Sequence, residues 1–234
     1  METLNVLESI QRRKSIRAYR PEPVPKEILS EILRIATRSP SCLNTQPWEF
    51  TVVSGDVLDG IRRENVARFL SGEKPRPDFL PNPGFPREEY QGVYRQRLVS
   101  LAVEIFRLLG IEREDRARRS EWQQRGFRFF DAPAAIIISV DKTLDAASYP
   151  YTLFDIGAVA NTISLAALNY GLGTCIEIQG ISYPDVIRKF TGLPEPKKNS
   201  DRHRHRLPRL GLSGQLFKYR QRTRGEHHQL ARLR

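Results

Sequence analysis

Hydrophobic positions follow two rhythms along this chain, one of three to four residues and one of short unbroken apolar runs. Leu4, Leu7 and Ile10 lie on one side of a first helix that runs into the basic group Arg12-Arg13-Lys14. Pro25 stands at a second helix start, and Ile28, Leu29, Ile32, Leu33 and Ala36 repeat at helical spacing until Pro40 stops the pattern. The loop SPSCLNTQPW follows and leads into a strand from Glu49 to Val53, which Ser54-Gly55 closes. A further helix is predicted from Asp56 to about Leu70.

Prolines crowd together from Gly72 to Pro86, which predicts an irregular excursion. Two charged amphipathic helices are expected next, about Glu88 to Leu109 and Glu112 to Arg125, with Gly110 as the C-cap between them. The β-branched run Ala134 to Val140 reads as a buried central strand. Tyr151 to Tyr170 reads as an apolar core helix closed by Gly171, Thr174 to Ile178 as another strand, and Ser182 as the cap of a short helix that Gly192 ends. Strands separated by helices, without internal repeats, predict a layered α/β or α+β domain.

The net charge of +11 on 234 residues would suggest nucleic acid or a membrane surface if it were spread evenly. It is not. From Asn199 onward there are nine Arg and one Lys against Asp201 and Glu226, so +8 of the total sits there and the preceding residues carry +3. All four histidines (His203, His205, His227 and His228) fall in the same stretch. The chain therefore divides into a body, residues 1–198, and a basic tail, residues 199–234. Cys42 and Cys175 are too few for a disulfide framework and lack metal-ligand spacing. No apolar run approaches the roughly 20 residues of a membrane helix, and Met1 to Arg13 lacks a signal-peptide core. These features predict a soluble cytoplasmic protein with no metal, no membrane and no specific nucleic-acid partner.

Three segments could carry chemistry. Arg12, Arg13, Lys14, Ser15 and Arg17 combine cations and a hydroxyl at a helix end, a donor set suited to a phosphate monoester. The same composition also fits a solvated helix terminus favoured by the macrodipole. In Pro40-Ser41-Cys42-Leu43-Asn44-Thr45-Gln46-Pro47-Trp48, two prolines stiffen a loop whose Ser, Asn and Gln can read the mixed donors and acceptors of a flat heteroaromatic edge. An ordinary turn with Trp48 in the core would look alike. Gly180, just past a strand, lets backbone N–H groups approach a ligand, a weak signal alone. There is no G-x-G-x-x-G, G-x-x-x-x-G-K-[ST], H-E-x-x-H or G-x-S-x-G, and no Ser-His-Asp set outside the tail.

Taken together, RRKSIRAYRPEPVP, ATRSPSCLNTQPWEF and FDIGAVANTISLAALNYGLGTC, with their spacing, resemble the nitroreductase family. FRFFDAPAAIII, preceded by the excursion and the helix pair, is similar to its larger nitrobenzoate-reductase-like branch. The resemblance spans roughly Leu4 to Leu193. It implies an α+β fold, a central, mostly antiparallel sheet flanked by helices, in a homodimer. It also implies FMN as cofactor, NADH or NADPH as co-substrate, and ping-pong reduction of nitroaromatics, quinones or related electrophiles. By resemblance, Arg13, Lys14, Ser15 and Arg17 contact the FMN phosphate, ribityl chain and pyrimidine end. Pro40, Ser41, Cys42 and Asn44 approach the same flavin from the other subunit, and Gln179 and Gly180 lie near its N5 edge. The flavin carries the chemistry, so no side chain is assigned as catalytic.

Past Leu193-Pro194 the family has a buried strand, a GYP-like turn and an arm ending in an Arg that reaches the phosphate. Here the tail reads as neither an apolar strand nor an amphipathic helix. Asp and His codons have the form GAY and CAY, and Arg is often CGN. Shifting DRHRHR by one base gives an alternation such as Ile-Ala-Ile, and continuing yields a GYP turn and a late Arg. The tail is therefore expected to be a reading-frame error beginning near Lys197-Lys198. Three alternatives follow: an FMN-binding protein with impaired turnover, a reductive dehalogenase or enoate reductase on the same fold, and a nucleic-acid-binding protein with a basic arm.

Overall fold

The computed structural model describes residues 4–78, 90–141, 144–194 and 208–218. Its helices are α1 (Val6–Arg12), α2 (Lys26–Ala36), α3 (Gly55–Leu70), α4 (Gly92–Leu109), α5 (Arg116–Phe127), α6 (Asp145–Leu168) and α7 (Pro184–Thr191). Its strands are β1 (Trp48–Ser54), β2 (Ala134–Asp141), β3 (Leu172–Glu177) and β4 (Pro208–Lys218). The sheet runs in the order β1-β2-β4-β3. Each neighbouring pair is antiparallel, with Trp48 opposite Val140, Ala134 opposite Leu216 and Leu172 opposite Lys218. The α+β class and the mostly antiparallel sheet are as the family resemblance implies.

Strand β2 explains why the sheet has helices on both faces. All its residues from Ala134 to Val140 are buried, and successive side chains of a strand point to opposite faces. Ala134, Ile136, Ile138 and Val140 join one apolar cluster with residues of α2 and α6. Ala135 and Ile137 join a second cluster with residues of α3 and α7. A polar residue in this run would forfeit about 1.5–3 kcal/mol of transfer energy per buried isoleucine, before any desolvation cost.

On one face, α2 buries Leu29, Ile32 and Ala36, the i, i+3, i+7 stripe legible in the sequence. Its partner α6 is the core helix, and its window Pro150–Leu168 is long and apolar enough to pass for a membrane span. Asp155 and Asn161 interrupt it, so it is not a continuous apolar run. The helix is apolar because α2, β3 and β4 pack on it. At the N-terminus, α1 is closed by a capping box between Asn5 and Glu8, but Val6, Leu7 and Ile10 stay exposed.

Several boundaries differ from expectation. Helix α6 starts at Asp145 and carries Pro150 inside it. Strand β3 begins two residues early, at Leu172. Ser182 does not cap α7: Tyr183 holds that position without a side-chain bond, Pro184 starts the helix, and the Ser182 hydroxyl donates to Ile178 O at 3.2 Å. The largest difference is β4, a strand in the tail where none was expected. Residues 79–89, most of the proline-rich excursion, lie outside the described residues.

Candidate functional site

The basic segment after α1 is strapped to the edge of the sheet. Ile16 N–H donates to Thr174 O at 2.9 Å, and Ser15 forms an isolated parallel bridge with Thr174. Gly173 makes this approach possible, since a Cβ there would sit 2.7 Å from Ile16 Cγ1. On the far side, Arg125 of α5 donates to Arg17 O at 3.0 Å, and the Arg17 guanidinium lies 5.8 Å from the Phe130 ring centroid. Lys14 and Ser15 are exposed, while Arg13 and Arg17 are half-buried. Arg17, Lys14, Arg13 and the Ser15 hydroxyl thus share one short ledge beside β3.

Cys175 and Tyr19 lie under that ledge. Burial pushes the Cys175 thiol up to about 11, opposed by Arg17 and Arg13 and reinforced by Glu177. Burial also raises the Tyr19 phenol above its ordinary range, with Cys175 and Glu177 adding to the effect and Arg17 and Arg125 opposing it.

The loop before β1 is fixed to a different element. Leu43, Asn44 and Gln46 all adopt positive φ, at 51°, 57° and 46°. Cys42 N–H donates to both carboxylate oxygens of Asp155 on α6, each at 3.1 Å. The Ser39 hydroxyl donates to Thr162 Oγ1, also on α6, at 2.7 Å. Within the loop, Gln46 N–H donates to Ser41 Oγ at 2.9 Å and the Gln46 amide to Asn44 Oδ1 at 3.1 Å. Pro40, Asn44, Thr45 and Gln46 are exposed, Ser41 and Cys42 half-buried, and Trp48 sits in the core. Among the described residues no hydrogen bond joins this loop to the basic ledge.

The corner after β3 is held by groups far away in sequence. Asn65 Nδ2 on α3 donates to Gly180 O at 2.8 Å and to Phe127 O at 3.1 Å. Gly180 is buried against Phe129, whose ring would meet a Cβ at 2.5 Å, and the Gln179 side chain lies over Gly126. Gly180 is thus required first by packing. The ledge and this corner meet at the end of α5, where Arg125 reaches Arg17 and the adjacent Gly126 underlies Gln179.

Between α5 and β2 the chain makes a left-handed turn at Phe129, Phe130 and Asp131, with φ of 56°, 49° and 62°. Arg62 holds it, donating to Arg128 O at 3.0 Å and also to Ala132 O. Sequence reasoning missed Arg62, Asn65 and Asp155, because each acts on backbone 62 or more residues away and leaves no local pattern.

The nitroreductase family model matches residues 10–200, ending where the basic tail begins. The chain is 32% identical over 188 residues to the nitrobenzene nitroreductase of Ectopseudomonas oleovorans, covering 80% of this chain and 79% of the relative. It is 31% identical over 190 residues to the chloronitrobenzene nitroreductase of Comamonas testosteroni, covering 80% and 79%. The crystal structure of the FMN- and NADPH-dependent nitroreductase NfnB from sphigopyxis sp. strain HMH superposes with a TM-score of 0.78 at 25% identity, covering 92% of this chain and 88% of that one. A match over most of the body, with the same sheet and helix arrangement, places the chain in the nitroreductase family.

Proposed function

We propose that this chain is an NAD(P)H-dependent oxidoreductase that binds FMN and reduces nitroaromatics, quinones or related electrophiles, working as a soluble cytoplasmic homodimer. The observation that carries the reading is the strap between Ile16 and Thr174. It holds two guanidinia, an ammonium and a hydroxyl on one ledge, the donor set that a phosphate monoester needs. Family membership and the cofactors named for relatives support the same reading.

In this reading Arg13, Lys14, Ser15 and Arg17 hold the phosphate, ribityl chain and pyrimidine end. Pro40, Ser41, Cys42 and Asn44 of a second copy cover the ring, and the Gln179–Gly180 corner approaches its N5 edge. When bound, FMN supplies hydride exchange with NAD(P)H and then with the acceptor, in the alternating order of a ping-pong reaction. The protein contributes position and charge: cations on the ledge favour the anionic reduced form. The ledge and the loop are fixed to different elements within one chain, and exposed apolar side chains flank the loop, with Leu43 93% and Phe154 78% exposed. These exposed apolar side chains support the reading that a second copy completes the site.

The test is direct. Purified protein should be yellow, load FMN, and oxidise NAD(P)H faster when a nitroaromatic is added. Well-folded dimer that is colourless and indifferent to added FMN would overturn the reading.

A further inference from the structure

We propose that Asp155 is a positioning residue that holds the Ser39–Trp48 loop in its flavin-facing shape through the Cys42 amide. The proposal rests on the reading of that loop as part of the FMN site.

The loop keeps three non-glycine residues, Leu43, Asn44 and Gln46, in the left-handed region. Such backbones cost on the order of 1–3 kcal/mol each and persist only where surrounding contacts fix them. Packing does not supply those contacts here, because Leu43, Asn44, Thr45 and Gln46 are exposed. Hydrogen bonds from the Asn44, Thr45 and Gln46 amides back to Ser41 and Cys42 close the turn, and what ties it to the rest of the fold is its start. Asp155 and Thr162 are seven residues apart on α6, two turns or about 10.5 Å along one helix face. Ser39 and Cys42, bonded to Thr162 and Asp155 respectively, are three residues apart, and three residues reach about 10 Å only when nearly extended. The first part of the loop is therefore pinned to α6 at two points, so that the turn at Cys42–Asn44 begins from a fixed point.

Of the two anchors, the Asp155 end is the stronger. Its carboxylate is 3% exposed and receives the Cys42 N–H on both oxygens. A bond to a carboxylate is roughly twice as strong as one to a neutral acceptor. Among the described residues the Cys42 N–H is the donor that reaches this carboxylate. Its neighbours on α6, Tyr151, Leu153 and Phe154, are exposed. Asp155 is thus, with Thr152, one of two buried polar residues beside these exposed side chains, and what it holds is backbone belonging to the loop.

The experiment is amide hydrogen exchange at Cys42, with FMN titration, on the full chain and on Asp155→Ala and Asp155→Asn. The Cys42 amide should be protected in the wild type and exchange about tenfold or more faster in Asp155→Ala, while amides of α6 near Ile163 keep their protection. FMN affinity should fall roughly ten- to hundredfold in Asp155→Ala, and Asp155→Asn, whose amide oxygen still accepts the N–H, should recover much of it. A merely structural role would loosen α6 and the loop together and would not be rescued by Asn. Cys42 exchange in Asp155→Ala as slow as in the wild type overturns the proposal. Faster exchange with unchanged FMN affinity separates the two ideas: the anchor is real, the loop is not a flavin wall, and the positioning role in catalysis is refuted. Should Asp155→Ala not fold, unprotected exchange of the Cys42 amide in the wild-type chain overturns it equally.

Discussion

Asn65 donates from Nδ2 to the carbonyl of Gly180 at 2.8 Å, joining the middle of α3 to the corner that follows β3. The same nitrogen reaches Phe127 O, while Asn65 Oδ1 is buried without a partner among the described residues. Asn65→Leu should cost about 2–4 kcal/mol by orphaning two buried carbonyls, partly offset by removing the unpartnered oxygen. Asn65→Asp should be worse, since it aims oxygens at both carbonyls. Denaturant midpoints at unchanged slope measure this; a loss under 0.5 kcal/mol, roughly the scatter of neutral surface changes, would mean that packing alone holds the corner.

The ledge makes a steeper prediction. Arg13→Ala should weaken FMN binding by about 1.5–3 kcal/mol, the range for a hydrogen bond to a charged group. Unchanged affinity in a titration would remove Arg13 from the phosphate site.

Gly173→Ala should act on the same ledge indirectly. The new Cβ would lie 2.7 Å from Ile16 Cγ1 and 3.2 Å from Ile16 Cβ, atoms close to the backbone that cannot swing away. The strap should move and FMN affinity fall about tenfold or more, on the order of 1.4 kcal/mol. Ile16→Ala in the same chain should restore part of the loss. A double-mutant cycle showing additivity would disprove the contact.

Stability should decline in alkali. The Cys175 thiol is raised from 9.0 to about 11 in the fold, so between those values the unfolded chain releases a proton that the folded chain keeps. Stability is then full below about pH 9 and lost as pH climbs through 11, on the order of 2–3 kcal/mol for two units. Tyr19, shifted in the same direction, adds to it at the alkaline end. Cys175→Ala should flatten the profile above pH 9 in urea melts; an unchanged slope would assign the effect elsewhere.

The tail can be tested at the level of its gene. The slot it fills lies between β2, buried from Ala134 to Val140, and β3. A central strand there calls for apolar residues on both faces, whereas Pro208–Lys218 includes Arg209, Ser213, Gln215 and Lys218. The family match also stops at residue 200. A frame-restored chain should therefore load more FMN than the chain as given when both are expressed side by side. Equal loading would refute the view that the tail matters, and coding DNA without an alternative frame would refute the shifted frame.

Much of the fold was legible because its cause is local. The stripe in α2 and the unbroken run in β2 announce elements buried on one side and on two. The three chemical segments were legible as composition, and resemblance gave them roles. What could not be read was the geometry that places them. Phe129 and Phe130 carry no turn signal, yet Arg62 bends them left-handed from 66 residues upstream. Asp155 sits in an apolar helix pattern and shows its purpose only once the loop lies against it. Ser182 looked like a cap because the sequence cannot show that Pro184 already begins the helix.

The strand order has a bearing on biosynthesis. The strand that the ribosome makes last of the four takes the inner place, between β2 and β3. Until it emerges, the nascent chain holds two open sheet edges over a half-built core, the kind of surface that invites aggregation. Closure must then await synthesis of Pro208–Lys218, and the yield of functional protein in a cell depends on what shields those edges during the interval.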